Sequence, residues 1–243
     1  MKRKKLKIAG IVVLMLIIAI VVASFIYVSD YYHSTRTISQ YQETSTVSVT
    51  EENSIIIVGD IQNASKGIIF YPGAKVEYTA YIPLMEEIAK SGYVCFIVKM
   101  PGNLAVFGIN KADDIIGKYK GIKSWYIAGH SLGGAMASAY AEKKSEKLDG
   151  IILFGAYPSS DLSKTDLRLL SIVGTKDKVL NRVKYESSKT NAPPYAEYYE
   201  IDGGNHAQYG DYGKQAGDGQ ATISREEQIK AAAKLVIDWL TVT

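Results

Sequence analysis

An α/β fold with a largely parallel sheet covered by helices is what this chain predicts, and three observations predict it. Eight short runs rich in Val, Ile, Phe and Tyr are bordered by Gly, Asp or Pro. Helical patterns separate several of them, and many of the runs are continuously apolar, as strands buried on both faces are. Strands alternating with helices imply parallel pairing, because each crossover returns the chain to the same end of the sheet.

The chain opens on the basic segment 1–7, MKRKKLK, followed over 8–28 by IAGIVVLMLIIAIVVASFIYV, which carries no charged side chain. At about 1.5 Å per residue that run is long enough to span a bilayer as a helix. A secretory signal has a shorter apolar centre of roughly 7–15 residues, so the run reads as a transmembrane anchor; Val21-Val22-Ala23 offers only a weak cleavage site for the alternative. Lys2, Arg3, Lys4, Lys5 and Lys7 before the run and Asp30 after it place the N-terminus in the cytoplasm and the folded part outside.

Residues 29–45 are polar and without sustained periodicity, and read as a tether, with Tyr27, Tyr31 and Tyr32 suited to the membrane interface and His33 exposed. Residues 46–243 then form one domain. The composition, 47% hydrophobic and 22% charged, is enough for one substantial core. The formal charge of +3 less the five basic side chains at the start leaves about −2, so nucleic acid is not an expected partner. The single Cys95, inside GYVCFIV, excludes an intramolecular disulfide framework and reads as a buried strand residue.

Within the domain the expected strands are 46–50, 54–59, 67–71, 93–98, 125–129, 150–155, 169–174 and 196–201. A helix over 77–91 places Tyr81, Leu84, Ile88 and Ala89 on one side, with Pro83 delaying its regular start. Further helices are expected over 112–119, 132–144 and 224–240, the last opened by a capping box with Ser224 as N-cap and Glu227 at N3.

The stretch IAGHSLGG, 127–134, joins a strand to a helix and contains GxSxG. A turn sharp enough to lift the Ser131 hydroxyl above the sheet leaves no room for a Cβ at Gly129 or Gly133. Ser131 also falls at a helix N-terminus, where the Leu132 N–H is available to an oxyanion. The bland reading, a Gly-rich bend for close packing, fits the peptide alone nearly as well, so partners must decide.

A serine hydroxyl needs a base, and the base needs a third group to fix its tautomer. Of three histidines, His33 lies in the tether and His130 adjoins the serine with its side chain expected to point away, which leaves His206 in the loop after the last strand. Asp177, on the loop leaving the preceding strand, is the expected acid, with Asp202 and Asp161 as competitors.

The order Ser131, Asp177, His206, each after a separate strand, together with the GHSLGG turn, resembles the α/β hydrolases over residues 46–243. The resemblance implies an eight-stranded, mostly parallel sheet. It also implies that the second oxyanion donor comes from FYPGAKVEY, with Ala74 favoured over Lys75. Only AYPSSDLSKTDLR separates two of the later strands, too short for a helical lid, so an open pocket is expected. The chain looks like small membrane-tethered bacterial hydrolases near the dienelactone hydrolases, but Ser131 stands where those enzymes carry Cys, so their substrate does not transfer.

The expected activity is cleavage of a small-molecule, ester-like substrate through an acyl-enzyme. An acyltransferase using the same residues and a non-catalytic binding module on the same fold are the rivals. Tyr157, Tyr209 and Tyr212 suggest an aromatic lining. No cofactor or metal is expected: GxGxxG and GxxxxGK[ST] are absent, no His/Cys/carboxylate cluster suggests zinc, and Asp211 and Asp218 have the wrong spacing for a Ca²⁺ loop and read as solvated. The loop 205–222 is long enough to be functional or mobile.

Overall fold

The computed structural model describes residues 2–242, with side chains from Gly10 onward. It contains two units, divided between Tyr31 and Tyr32. The first is one helix, α1 (Lys2–Ser29), whose stretch Gly10–Ser29 is long and apolar enough to cross a membrane.

The second unit holds eight strands: β1 (Val49–Glu52), β2 (Ile55–Val58), β3 (Lys66–Tyr71), β4 (Val94–Val98), β5 (Ser124–His130), β6 (Gly150–Phe154), β7 (Arg168–Gly174) and β8 (Ala196–Ile201). They form one sheet in the order β1-β2-β4-β3-β5-β6-β7-β8. Only β2 runs against its neighbours; from β4 across to β8 every pairing is parallel. All eight expected strands are present, the first shifted toward the turn that pairs it with β2.

Side chains alternate across the sheet. Ile68, Phe70, Tyr126, Ala128, Ile152 and Phe154 pack on one face with α3 (Ile82–Ala89) and α7 (Arg225–Thr241). Ile69, Tyr71, Ile127, Ile151 and Leu153 pack on the other with α4 (Lys111–Lys118) and α5 (Leu132–Lys144). Because both faces are covered, the inner strands are apolar at nearly every position. The outer strand β8 instead carries Glu197 and Glu200, charges that discourage pairing with another chain.

A 3₁₀ turn, Tyr78–Tyr81, precedes α3, and Pro83 lies in the first turn of that helix, where its missing N–H costs nothing. At α7 the capping box forms as expected, Ser224 accepting from the Glu227 N–H and Glu227 returning a bond to the Ser224 amide. A short helix after β7, α6 (Arg182–Ser187), has no counterpart among the expected elements.

The tether is a second departure. From Tyr32 the chain is docked on the domain, and it forms α2 (Ile38–Thr44), capped by Thr37 and Gln40. Tyr41 is buried and belongs to the core. Tyr32 bridges to Val76, with its N–H on the Lys75 carbonyl at 2.7 Å and its carbonyl accepting from Glu77 at 2.9 Å. Besides these polar bonds, its apolar contacts with the core are only Tyr41 and the partly buried Tyr32 and Ile38, whose uneven spacing leaves no hydrophobic period in the sequence. His33 stays largely exposed, 3.5 Å from Glu77.

Candidate active site

Parallel strands that end together present their following loops along one edge. Ser131 follows β5, Asp177 follows β7, His206 follows β8 and Ala74 follows β3, so all four loops leave that edge.

Ser131 sits at φ 52°, ψ −121°, a conformation that a side chain other than glycine's adopts only under strain. The glycines around it explain how the turn is held. A Cβ on Gly129 would lie 2.4 Å from the Gly133 carbonyl carbon, and one on Gly133 would lie 2.0 Å from the Tyr71 carbonyl oxygen. Gly129 therefore lets β5 meet α5, while Gly133 lets α5 press on the end of β3. The Ser131 N–H donates to the Phe154 carbonyl at 3.0 Å, tying the turn to β6.

His206 is 1% exposed and Asp177 is 5% exposed. Asp177 Oδ1 accepts from the N–H groups of Val179 and Leu180, both at 2.9 Å, and Oδ2 lies 2.8 Å from His206 Nδ1. A carboxylate only accepts, so Nδ1 carries the proton, and Nε2 of the neutral ring is the bare nitrogen. Nε2 has no hydrogen-bond partner among the described residues. His206 and Ser131 line the same cavity, of about 320 Å³, together with Leu132, Gly155, Tyr157 and Lys184. The competitors stand apart: Asp202 accepts from Thr175, and Asp161 caps its own turn at Ser163.

Leu132 begins α5, where its N–H has no carbonyl one turn earlier to bond. In the β3 loop, the Gly73 N–H donates to the Tyr81 hydroxyl at 3.1 Å and the Lys75 N–H to the Asn103 carbonyl at 2.8 Å. Between them, the Ala74 N–H has no acceptor among the described residues. Lys75, the second choice of the sequence reading, is thus already engaged.

Several residues that shape the site carry no sequence signal of their own. Gln228, fully buried on α7, accepts from the Asn205 N–H at 2.9 Å and donates to the Asn205 carbonyl at 2.7 Å, gripping the peptide next to His206. Asp218 accepts from the Ala207 N–H at 2.9 Å on the other side. Gly155, at φ 50°, lies beneath the pair: a Cβ there would be 3.0 Å from His206 Nδ1 and 3.3 Å from Asp177 Oδ2.

His130 is buried, with Nδ1 2.9 Å from the Tyr81 hydroxyl and its ring 4.5 Å from that of His206. Burial, reinforced by the neighbouring His206, pushes its pKa well below the ordinary histidine value. It is a neutral packing partner of the candidate base.

Two expectations about the pocket change. Tyr157 lines the cavity, but Tyr209 is buried with its hydroxyl on the Ile172 carbonyl, and Tyr212 is buried between Tyr32 and Tyr81. Asp211 is not solvated. It is fully buried among Thr35, Arg36, Tyr41 and Arg225, so the loop it belongs to is packed at that point. The segment between β6 and β7 contains no helix, and no helical element covers the cavity there.

The family model described as "Alpha/beta hydrolase family" matches residues 67–230, two thirds of the chain and the whole span from β3 into α7. The chain belongs to the alpha/beta hydrolase family. Solved structures of the same fold include a predicted CIB-like hydrolase from Thermoplasma acidophilum, at 17% identity and TM-score 0.60, covering 79% of this chain and 99% of that one. A dienelactone hydrolase from Anabaena variabilis aligns at 14% identity and TM-score 0.59, over 82% and 97% of the two chains. A monoacylglycerol lipase from Paleococcus ferrophilus aligns at 14% and 0.58, over 79% and 99%. At these identities the likeness speaks for the fold. A comparison with curated proteins finds no match.

Proposed function

We propose that this alpha/beta hydrolase is a membrane-anchored serine hydrolase that cleaves a small carboxylic ester through an acyl-enzyme. The observation that carries the reading is the buried His206–Asp177 pair at 2.8 Å, whose unpartnered Nε2 shares a cavity with a serine on a strained strand-to-helix turn. A surface histidine in a polar loop needs none of this.

In the proposed reaction Ser131 Oγ attacks the acyl carbon while His206 Nε2 takes the hydroxyl proton. The Leu132 and Ala74 N–H groups hold the negative oxygen that forms, in a setting where preorganised donors are worth several kcal/mol. Collapse expels the alcohol, which receives the proton from His206. Water, deprotonated by the same nitrogen, then attacks the acyl-enzyme and releases the acid and the free serine. Asp177 keeps the proton on Nδ1 throughout and stabilises the imidazolium. The cavity, about 320 Å³, is small for a ligand site and suits a short acyl group against Leu132, Ala135, Val179 and Leu180.

Labelling with a fluorophosphonate probe tests the chemistry: an adduct on Ser131, lost in Ser131→Ala and His206→Ala, is expected, and undiminished labelling of Ser131→Ala rejects the reading. For the anchor, the helix over 8–28 would hold the domain outside the cytoplasmic membrane. Protease added to intact cells should then remove the domain, and complete protection rejects that orientation.

A further inference from the structure

Asp211 is a fully buried carboxylate that the reaction does not use, five residues beyond His206 on the same loop. Its surroundings are unusually complete. Oδ1 accepts from the Thr35 hydroxyl and an Arg225 guanidinium nitrogen; Oδ2 accepts from the Tyr41 hydroxyl at 3.0 Å and Arg36 Nε at 3.3 Å. Its backbone is tied as well, the N–H to the Ala80 carbonyl at 2.7 Å and the carbonyl to the Thr35 N–H at 2.8 Å. Burial opposes the charge, but the bonds from Thr35 and Tyr41 and the two guanidinium groups outweigh it and hold the carboxyl below its usual pKa.

Three of these side chains, Thr35, Arg36 and Tyr41, come from the strap that precedes the domain sheet. The other end of that strap is bonded to a different loop. Tyr32 pairs with the backbone of Lys75 and Glu77, beside Ala74, and the Ser34 N–H donates to Glu77 Oε2 at 2.9 Å. The Tyr32 hydroxyl accepts from the Ala216 N–H at 3.0 Å, and its ring lies 5.7 Å from that of Tyr212. One stretch of about ten residues therefore touches both the loop of the candidate oxyanion donor and the loop of the candidate base.

We propose that this strap is a positioning element of the site, with Asp211 as the residue through which it holds His206 in register with Ser131 and Ala74. The proposal rests on the serine-hydrolase reading above. Neither loop is set by the sheet alone: Ala74 and His206 lie three and five residues past the ends of β3 and β8. Misplacement of a reacting group by about 1 Å is enough to cost on the order of a hundredfold in rate. A strap that merely added stability would lower the amount of folded protein and leave each folded molecule at full rate.

That difference is the test. The full chain in detergent micelles is assayed with a p-nitrophenyl ester, rates being normalised to the sites titrated by a fluorophosphonate. Asp211→Asn keeps the shape and leaves Arg36 and Arg225 unbalanced; Arg36→Met and Thr35→Val remove strap contacts from the more accessible side. Expected is a fall of kcat per titrated site of about ten- to a hundredfold in Asp211→Asn, a smaller fall in Arg36→Met, KM within about twofold, and partial recovery in Arg36→Lys. Parent kcat per titrated site in both Arg36→Met and Thr35→Val overturns the proposal, even where Asp211→Asn does not fold. Hydrolysis surviving in Ser131→Ala instead overturns the reading beneath it.

Discussion

Replacing Asp177 by Asn changes one atom, and the structure dictates how the amide must sit. Asp177 Oδ1 accepts two backbone N–H groups, from Val179 and Leu180. Turning the Asn –NH₂ toward them leaves both donors unmet at a buried position, a cost of about 1–3 kcal/mol each. The favoured orientation keeps oxygen on those amides and aims –NH₂ at His206 Nδ1. That nitrogen must then accept, so the proton of the neutral ring moves to Nε2 and the base is lost. Loss of the correct tautomer costs about 10⁴ in kcat, or roughly 5.5 kcal/mol of transition-state stabilisation. The assay is steady-state ester hydrolysis by the full chain, with Asp202→Asn, an exposed carboxylate engaged with Thr175, expected to keep the parent rate. Activity of Asp177→Asn within about tenfold of the parent would refute the assignment of the acid.

Three further outcomes are expected. Gly155→Ala places a Cβ 3.0 Å from His206 Nδ1 in a left-handed backbone; strain of about 1–2 kcal/mol should lower Tm by roughly 2–8 °C, and kcat should fall about tenfold or more, an unchanged kcat in thermal melts and rate assays being the contrary result. Ser131→Gly relieves the positive φ while abolishing activity, and its Tm should rise by about 2–6 °C; a lower Tm would mean the serine backbone is not strained. His130, whose folded pKa is depressed, takes up a proton when the chain unfolds below its unfolded pKa near 6.5, so stability falls with pH from that value downward by up to about 1.4 kcal/mol per unit. Denaturant melts between about pH 7 and 5 should show a shallower decline in His130→Gln, and an identical slope counts against the neutral, buried state.

How much of this was legible depends on what holds each part. The strands of the parallel sheet are covered on both faces, so they appear as unbroken apolar runs such as GIIFY and GIILFG, and all eight were readable. The turn at Ser131 was readable because its glycines are required by backbone contacts that recur wherever a strand and helix meet so closely. That Asp177 and His206 lie on the loops after the last two strands was readable from their place in the sequence, and the fold pairs them there. The strap was not, because a single buried Tyr41 and a set of polar bonds to residues about 170 positions away leave no period in the sequence. Asp211 looked solvated for the same reason. Gln228 and Gly155 matter through neighbours that only the folded chain brings to them, and a lone Gln on a helix or a Gly after a strand has many ordinary explanations.

The candidate site residues also differ in what fixes them. Ser131 directly follows β5, and its amide is bonded into β6, so the sheet itself sets its position. Asp177 stands three residues past β7 and is locked by the two amides that follow it in its own loop. His206 is farther out, and the loop from 205 to 222 that carries it makes no ladder with any strand. What the sheet does not supply there, side chains do: Gln228 grips the preceding peptide, Asp218 holds the following amide and Asp177 takes the ring. Restraint by side chains can be broken one bond at a time, whereas a strand end moves only with its sheet. The imidazole is therefore the part of the candidate site whose geometry depends most on residues remote from it, and under the proposed mechanism the polar bonds around its loop would serve to keep it in line with the serine.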